Sequence, residues 1–356
     1  MQLGIIGFPQ CGKTTIFNAL TRGKQPTGFG AGKMEIHTAV VDVPDKRVDI
    51  LNEMFHPRKK IYTKVTYVDI VGLESSTAKE GISGALLNRL TQLDGFIHVV
   101  RCFEDENIPH PAGSVNPARD LAMMDAEFIL NDLIAVERKL ERLQEEKKKG
   151  GSKDKAQIER EIALFTKLHA ALSEETLLRD IDIAPEDEKL LSGFGFLSRK
   201  PVLVVLNLAE GQSAPAIEYP HRHSQVIALQ GRLEMDLAQL SPEEAEEFLK
   251  EYHLGEPVLD RLIKISYDLL GLISFFTVGE DEVRAWTVHQ GATAPAAAGE
   301  IHTDLQKGFI RAEVVAYKDL IAAGSMAEAR NQGKWRLEGK EYIVQDGDIL
   351  NIRFNN

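Results

Sequence analysis

The segment Gly7-Phe8-Pro9-Gln10-Cys11-Gly12-Lys13-Thr14 spells G-x-x-x-x-G-K-T, and it constrains this chain more than any other feature. Before it, Leu3-Gly4-Ile5-Ile6 reads as a short buried strand; after it, Thr15-Ile16-Phe17-Asn18-Ala19-Leu20 begins an amphipathic helix. Strand, loop and helix in that order are what a phosphate-binding loop requires. Gly7 and Gly12 let the backbone curl so that successive N–H groups face an anion. The helix start adds its unpaired donors and positive dipole end. The expected nucleotide contacts from this segment are Gly7, Phe8, Pro9, Gln10, Cys11, Gly12, Lys13, Thr14 and Thr15. Lys13 is expected at the β- and γ-phosphates as a catalytic cation, and the Thr14 hydroxyl on Mg²⁺. Cys11 reads as a small filler inside the loop rather than a redox centre.

Four further runs read as buried parallel strands: Val65–Asp69, Phe96–Val100, Val202–Leu206 and Gln225–Leu229. Alternation with helical stretches predicts an α/β fold with a mainly parallel sheet, its ligand at the strands' carboxyl ends. A length of 356 residues suits two or three domains. No apolar run reaches a membrane span, and the chain enters a strand at once, so no signal peptide is expected. Two cysteines make no disulfide framework, which fits a cytoplasmic setting. A formal charge of −12 argues against wholesale coating of nucleic acid, and no DNA-specific feature is found.

Between residues 120 and 195 the alternation stops. Ala126, Ile129, Leu133, Val136, Leu140 and Leu143 recur at helical spacing, as do Ile158, Ile162, Phe165, His169 and Leu172. The breaker Lys147–Lys155 lies between them, so an antiparallel helical arm is expected, with His169 a partly buried spacer. The lysine-rich tip reads either as a solvated turn or as a contact to RNA phosphate. From about residue 274 a small α+β module is expected, with strands at Val283–Val288 and Tyr342–Leu350 and a helix at Tyr317–Ala323. Trp286 and Trp335 read as core of that module. His221 and His223, two apart in a loop, make a poor metal pair, and Glu243–Glu247 is a solvated helix start. The predicted division is therefore 1–119 with 196–273, an inserted arm 120–195, and 274–356.

Asp69-Ile70-Val71-Gly72 supplies a D-x-x-G, which places Asp69 for Mg²⁺ and the Gly72 N–H for the γ-phosphate. The next residue, Leu73, stands where Ras-like enzymes carry a water-orienting glutamine, and a leucine cannot do that. Asn207-Leu208-Ala209-Glu210 replaces the guanine-reading N-K-x-D, so the base stays open between adenine and guanine. A D-x-x-G with an N-x-x-E belongs to switch proteins rather than metabolic kinases.

These motifs resemble the YchF (Obg-like ATPase) branch of the translation-factor P-loop proteins. So do His98–Asp105, Val115-Asn116-Pro117-Ala118-Arg119-Asp120, Gly291–Pro295, Gly308–Val314 and Gly333–Lys340, essentially end to end. The resemblance implies a G domain, an inserted helical coiled-coil arm and a C-terminal TGS domain. It also implies a slow ATPase acting as a ribosome-associated switch, with arm and TGS domain contacting RNA. ATP (or GTP) and Mg²⁺ would be the ligands, and a monomer is expected. Family members carry a histidine at the position of His110, and a mobile histidine there would position water in place of the missing glutamine. Gln230-Gly231-Arg232 stands where an S-A-K-like motif packs on the base, so Gln230 and Gly231 join Asn207, Leu208 and Glu210 as expected base contacts. Lys33 replaces the switch threonine unless a shift of the loop brings Thr38 there, and the segment after Gly72 is glycine-poor, which marks a divergent member. A GTPase of the same fold, or a nucleotide-dependent translation scaffold with negligible turnover, are the alternatives.

Overall fold

Short runs of β-branched and aromatic residues become strands wherever both faces can be covered. The computed structural model describes residues 1–23, 35–71, 84–149, 155–251 and 257–355. Its strands are β1 (Gln2–Ile6), β2 (Glu35–Asp42), β3 (Lys59–Ile61), β4 (Lys64–Val71), β5 (Gly95–Arg101), β6 (Val202–Asn207), β7 (Ser224–Leu229), β8 (Leu272–Val278), β9 (Glu282–His289), β10 (Phe309–Ala316), β11 (Arg336–Glu338) and β12 (Asp348–Phe354). The helices used below are α1 (Lys13–Thr21), α2 (Lys46–Phe55), α3 (Gly84–Thr91), α4 (Pro117–Lys149), α5 (Lys155–Ser173), α6 (Pro185–Leu191) and α7 (Gly231–Ala238). Packing divides the chain into two compact units, Met1–Ala39 with Thr66–Leu259, and Val40–Val65 with Asp260–Asn356.

The first unit is built on a sheet of order β2-β4-β1-β5-β6-β7. β1 lies parallel between β4 and β5, with Ile5 opposite Asp69 and Ile97, and β5, β6 and β7 continue parallel. Every residue of β5 and β6 is buried, as continuous apolar runs in a two-sided sheet must be. One face is covered by α3 and the start of α4, through Leu86, Leu90, Leu121, Met124 and Phe128.

Farther along α4 the same helix leaves the sheet and pairs with α5. Ion pairs Lys139–Glu161 and Lys147–Glu159 fix the two as antiparallel, and Ile129, Val136, Leu143, Leu164, Phe165, Leu168 and Leu172 form their seam. Ala126, expected on that seam, is exposed, because the turn around it faces the sheet through Met124 and Phe128. His169 is half-buried, with Nε2 3.5 Å from Glu137. Lys148 and Lys155 are exposed, while Gly150–Asp154 of the expected tip lie outside the described residues.

The second unit has the sheet order β11-β10-β12-β8-β9-β3. β8 and β9 form an antiparallel hairpin, and β3 adds to β9 in parallel. The segment 40–65, expected within the phosphate loop's domain as part of 1–119, is grouped by packing with this unit instead. The strand expected at Tyr342–Leu350 starts only at Asp348 and runs to Phe354. Asp348 Oδ2 accepts the Gln345 N–H and the Tyr342 hydroxyl, which curls the preceding residues into a turn. The helix expected at Tyr317–Ala323 is present with those bounds. Trp286 stacks at 15° on Phe275 and Trp335 packs on the Val48 cluster; each is partly buried and capped by an arginine, Arg284 and Arg330.

Candidate functional site

At the carboxyl end of β1 the backbone turns through Gly7 (φ 145°), Gln10 (φ 64°) and Gly12 (φ 98°) before α1 begins at Lys13. Gly12 sits in the left-handed region, where glycine meets no steric penalty. A Cβ there would also run into the Asn207 side-chain amide, and one at Gly7 would strike the Val99 carbonyl. The loop is thus a cradle that only a bare backbone can form, with Cys11 buried behind it. Burial pushes the Cys11 thiol up, so it stays protonated as an inert filler.

Asn207, at the end of β6, holds the cradle shut from the far side. Its Nδ2 donates to the Cys11 carbonyl at 2.9 Å, and its Oδ1 accepts the Gly231 N–H at 3.0 Å. Three loops, after β1, β6 and β7, are joined by one buried amide. Gly231 is glycine because a Cβ would sit 2.7 Å from Asn207 Oδ1 and 2.9 Å from Ile16 Cδ1. Leu208 is buried behind Asn207, Glu210 is exposed, and Gln230 is half-buried at the start of α7.

Lys13 is almost wholly buried, its Nζ donating to the carbonyls of Gly7 (3.2 Å) and Phe8 (3.0 Å). Thr14 Oγ1 donates to Asp69 Oδ2 at 2.9 Å. Asp69 is fully buried, and its Oδ1 has no hydrogen-bond partner among the described residues. Burial pushes this carboxyl above its usual range, opposed by the Thr14 hydrogen bond and by the charges of Lys13 and His37. An unpartnered carboxylate oxygen in a buried site is costly unless a cation meets it. A hydroxyl and a carboxylate, both hard oxygen donors, suit Mg²⁺. Gly72, Leu73 and Lys33 lie outside the described residues.

His110 lies on the loop after β5 and is buried. Its Nε2 is 3.0 Å from Asp120 Oδ2, and its Nδ1 accepts the Ala112 N–H at 3.1 Å. A mobile histidine was expected here; instead the ring is buried, with Nδ1 hydrogen-bonded and Nε2 against the Asp120 carboxylate. Arg101, buried at the end of β5, ties down the same loop by donating to the Phe103 and Ile108 carbonyls. Asp120 and Arg101 lie in segments that carry the family resemblance, but nothing in the sequence assigned either a role at the site. The one available signal was Asn116-Pro117, a helix-start pair whose Asn116 Oδ1 does accept the Arg119 N–H. His221 is paired with Asp180, at 2.7 Å.

Two family profiles match the chain: MMR_HSR1, described as "50S ribosome-binding GTPase", over residues 2–149, and YchF-GTPase_C, described as "Protein of unknown function (DUF933)", over residues 272–355. The chain is 40% identical over 361 residues to the protein named ribosome-binding ATPase YchF of Pasteurella multocida, covering 99% of this chain and 98% of that one. It is likewise 40% identical over 364 residues to the Bacillus subtilis protein of the same name, with the same coverage. A solved structure titled as the Schizosaccharomyces pombe YchF GTPase superposes with a TM-score of 0.85 at 30% identity, covering 99% of this chain and 97% of that one. The printed names thus agree on the family and differ on the nucleotide.

Proposed function

The chain belongs to the YchF family, and from that premise we propose that it is a slow ATPase working as a nucleotide-dependent switch on ribosomes. The observation that carries the chemistry is the pairing of a glycine-shaped cradle with Thr14 and the open Asp69 Oδ1. Backbone N–H groups of Gly7–Thr15, Pro9 excepted, bind the phosphates, and Lys13 exchanges its two loop carbonyls for phosphate oxygens. Thr14 and Asp69 would hold Mg²⁺, which when bound neutralises charge on the β- and γ-oxygens. Leu208, Gln230, Gly231 and the exposed Glu210 border the base, with Asn207 fixing their spacing. His110 takes the water-positioning role that Leu73 cannot fill. The arm and the C-terminal module, read as a TGS domain, form the ribosomal RNA-facing parts of a cytoplasmic monomer. No described helix is long and apolar enough to cross a membrane.

Equilibrium binding of ATP and GTP with Mg²⁺, alongside phosphate release from each, tests this reading. Tighter ATP binding with slow release is expected, and Lys13→Ala should lose binding. Asp69→Asn should keep nucleotide binding while raising the Mg²⁺ concentration needed for turnover. Preference for GTP would overturn the choice of base. Tight binding with no release would leave only the scaffold.

A further inference from the structure

His110 is stored rather than presented. The Ala112 N–H donates to Nδ1 at 3.1 Å, so Nδ1 carries the lone pair and Nε2 the proton, and Nε2 lies in close polar contact with Asp120 Oδ2 at 3.0 Å. Arg119 Nη2 also approaches Nδ1, at 3.5 Å. With the imidazole side chain only 3% exposed, neither ring nitrogen faces solvent. Asp120 is equally buried and is held in turn, its Oδ1 accepting from Arg119 Nε at 3.0 Å and Nη2 at 2.8 Å. Arg119 is closed onto the loop itself through the Ser114 carbonyl at 2.7 Å.

The two halves of this contact hang from different elements. The loop bearing His110 is fastened to β5 by Arg101, through Phe103 O at 2.9 Å and Ile108 O at 2.8 Å. Asp120 rides in the first turn of α4, the 33-residue helix whose far end forms the arm with α5. A small shift of α4 against β5 therefore separates Asp120 from His110 while leaving the loop anchored.

We propose that Asp120 is a positioning residue that latches His110 in this stored state, and that hydrolysis requires the latch to open. The inference rests on the reading of His110 as the water-positioning group. No bond to substrate changes in the step; the His110–Asp120 contact is exchanged for a hydrogen bond to water. Slow turnover is then a property of the latch, and α4 is the element through which the arm would release it.

Steady-state ATP hydrolysis by Asp120→Ala, His110→Ala and the double variant tests the proposal. Asp120→Ala should raise kcat about tenfold at unchanged KM, the population shift that loss of one close polar contact to a charged group allows. The double variant should fall back to the rate of His110→Ala. An Asp120→Ala rate at or below wild type, with an unchanged melting temperature, would overturn the latch. A second measurement uses the wild-type, nucleotide-free chain: peptide-resolved modification by diethyl pyrocarbonate. His110 should react at least about tenfold more slowly than the exposed His223, as a buried ring held by its neighbours must; equal rates would overturn the stored state. If His110→Ala leaves turnover unchanged, the role of His110 itself is wrong. A slow His110→Ala beside an unaccelerated Asp120→Ala removes the latch alone.

Discussion

Asn207 is a buried packing residue at the candidate nucleotide site. Its place after a predicted strand suggested a contact to the base, whereas its buried amide joins Cys11 of the phosphate loop to Gly231 at the start of α7. Asn207→Ala removes both bonds and leaves the Gly231 N–H and Cys11 carbonyl buried without partners. The expected cost is about 2–4 kcal/mol, read as a shift in the urea midpoint, with nucleotide affinity falling alongside. Gly12→Ala should be worse for binding than for stability: it strains a left-handed backbone position and pushes the Asn207 amide out of the cradle. Comparing ATP affinity with urea stability for that variant separates the two effects. The phosphate loop itself was legible because backbone geometry there depends on local glycines. The partners Asn207 and Asp69 were legible only as residue types after strands.

At the level of elements, α4 serves two cores in turn. Its first turns pack on the sheet through Leu121, Met124 and Phe128, and its later turns make the arm seam. Asp132 lies between those regions, where its carboxylate accepts from the Leu197 N–H (2.8 Å), the Ser198 N–H (2.7 Å) and the Ser198 hydroxyl (2.6 Å). It thereby pins the chain's return from the arm just ahead of β6. Burial pushes Asp132 up to about 6, against the lowering effect of those donors. A carboxyl whose folded pKa exceeds its unfolded value of 3.8 favours folding when protonated, so its contribution weakens as pH rises between about 4 and 6. The slope approaches about 1.4 kcal/mol per pH unit within that window. Asp132→Asn should flatten this limb of the stability–pH profile. At pH 7 it should still cost roughly 1–3 kcal/mol, because its amide N–H₂ faces a backbone donor. Denaturant titrations at pH 4, 5, 6 and 7 give both quantities. Helical spacing predicted the arm and most of its seam; the change of partner along α4 was invisible to spacing alone, so Ala126 was misplaced.

For the molecule as a whole, the second unit is assembled from segments far apart in sequence. Val48 and Leu51 of α2 are fully buried among Phe276, Val283, Val315, Leu320 and Ile349, and β3 continues the sheet beside β9. Arg47 adds a bridge from Asp45 to Asp346 and lies 5.1 Å over the Phe276 ring. Two buried aliphatic side chains are worth about 1.5–3 kcal/mol each, a large share of the roughly 5–15 kcal/mol that holds a domain together. A fragment spanning 260–356 should therefore show no cooperative thermal transition by circular dichroism. Fusing 40–65 to it through a flexible linker should restore one.

What the sequence determined by itself was whatever depends on short-range pattern. The glycines of the phosphate loop set the local backbone, continuous apolar runs set β1 and β4–β7, and i, i+3, i+4 spacing set α4 and α5. Only tertiary structure decided that Asp69 keeps one oxygen open, that His110 is buried against Asp120, and that 40–65 packs with the C-terminal module. Those outcomes depend on side chains brought together from 10 to about 300 positions apart. Neither local propensity nor periodicity carries information about which distant groups will meet and exclude water.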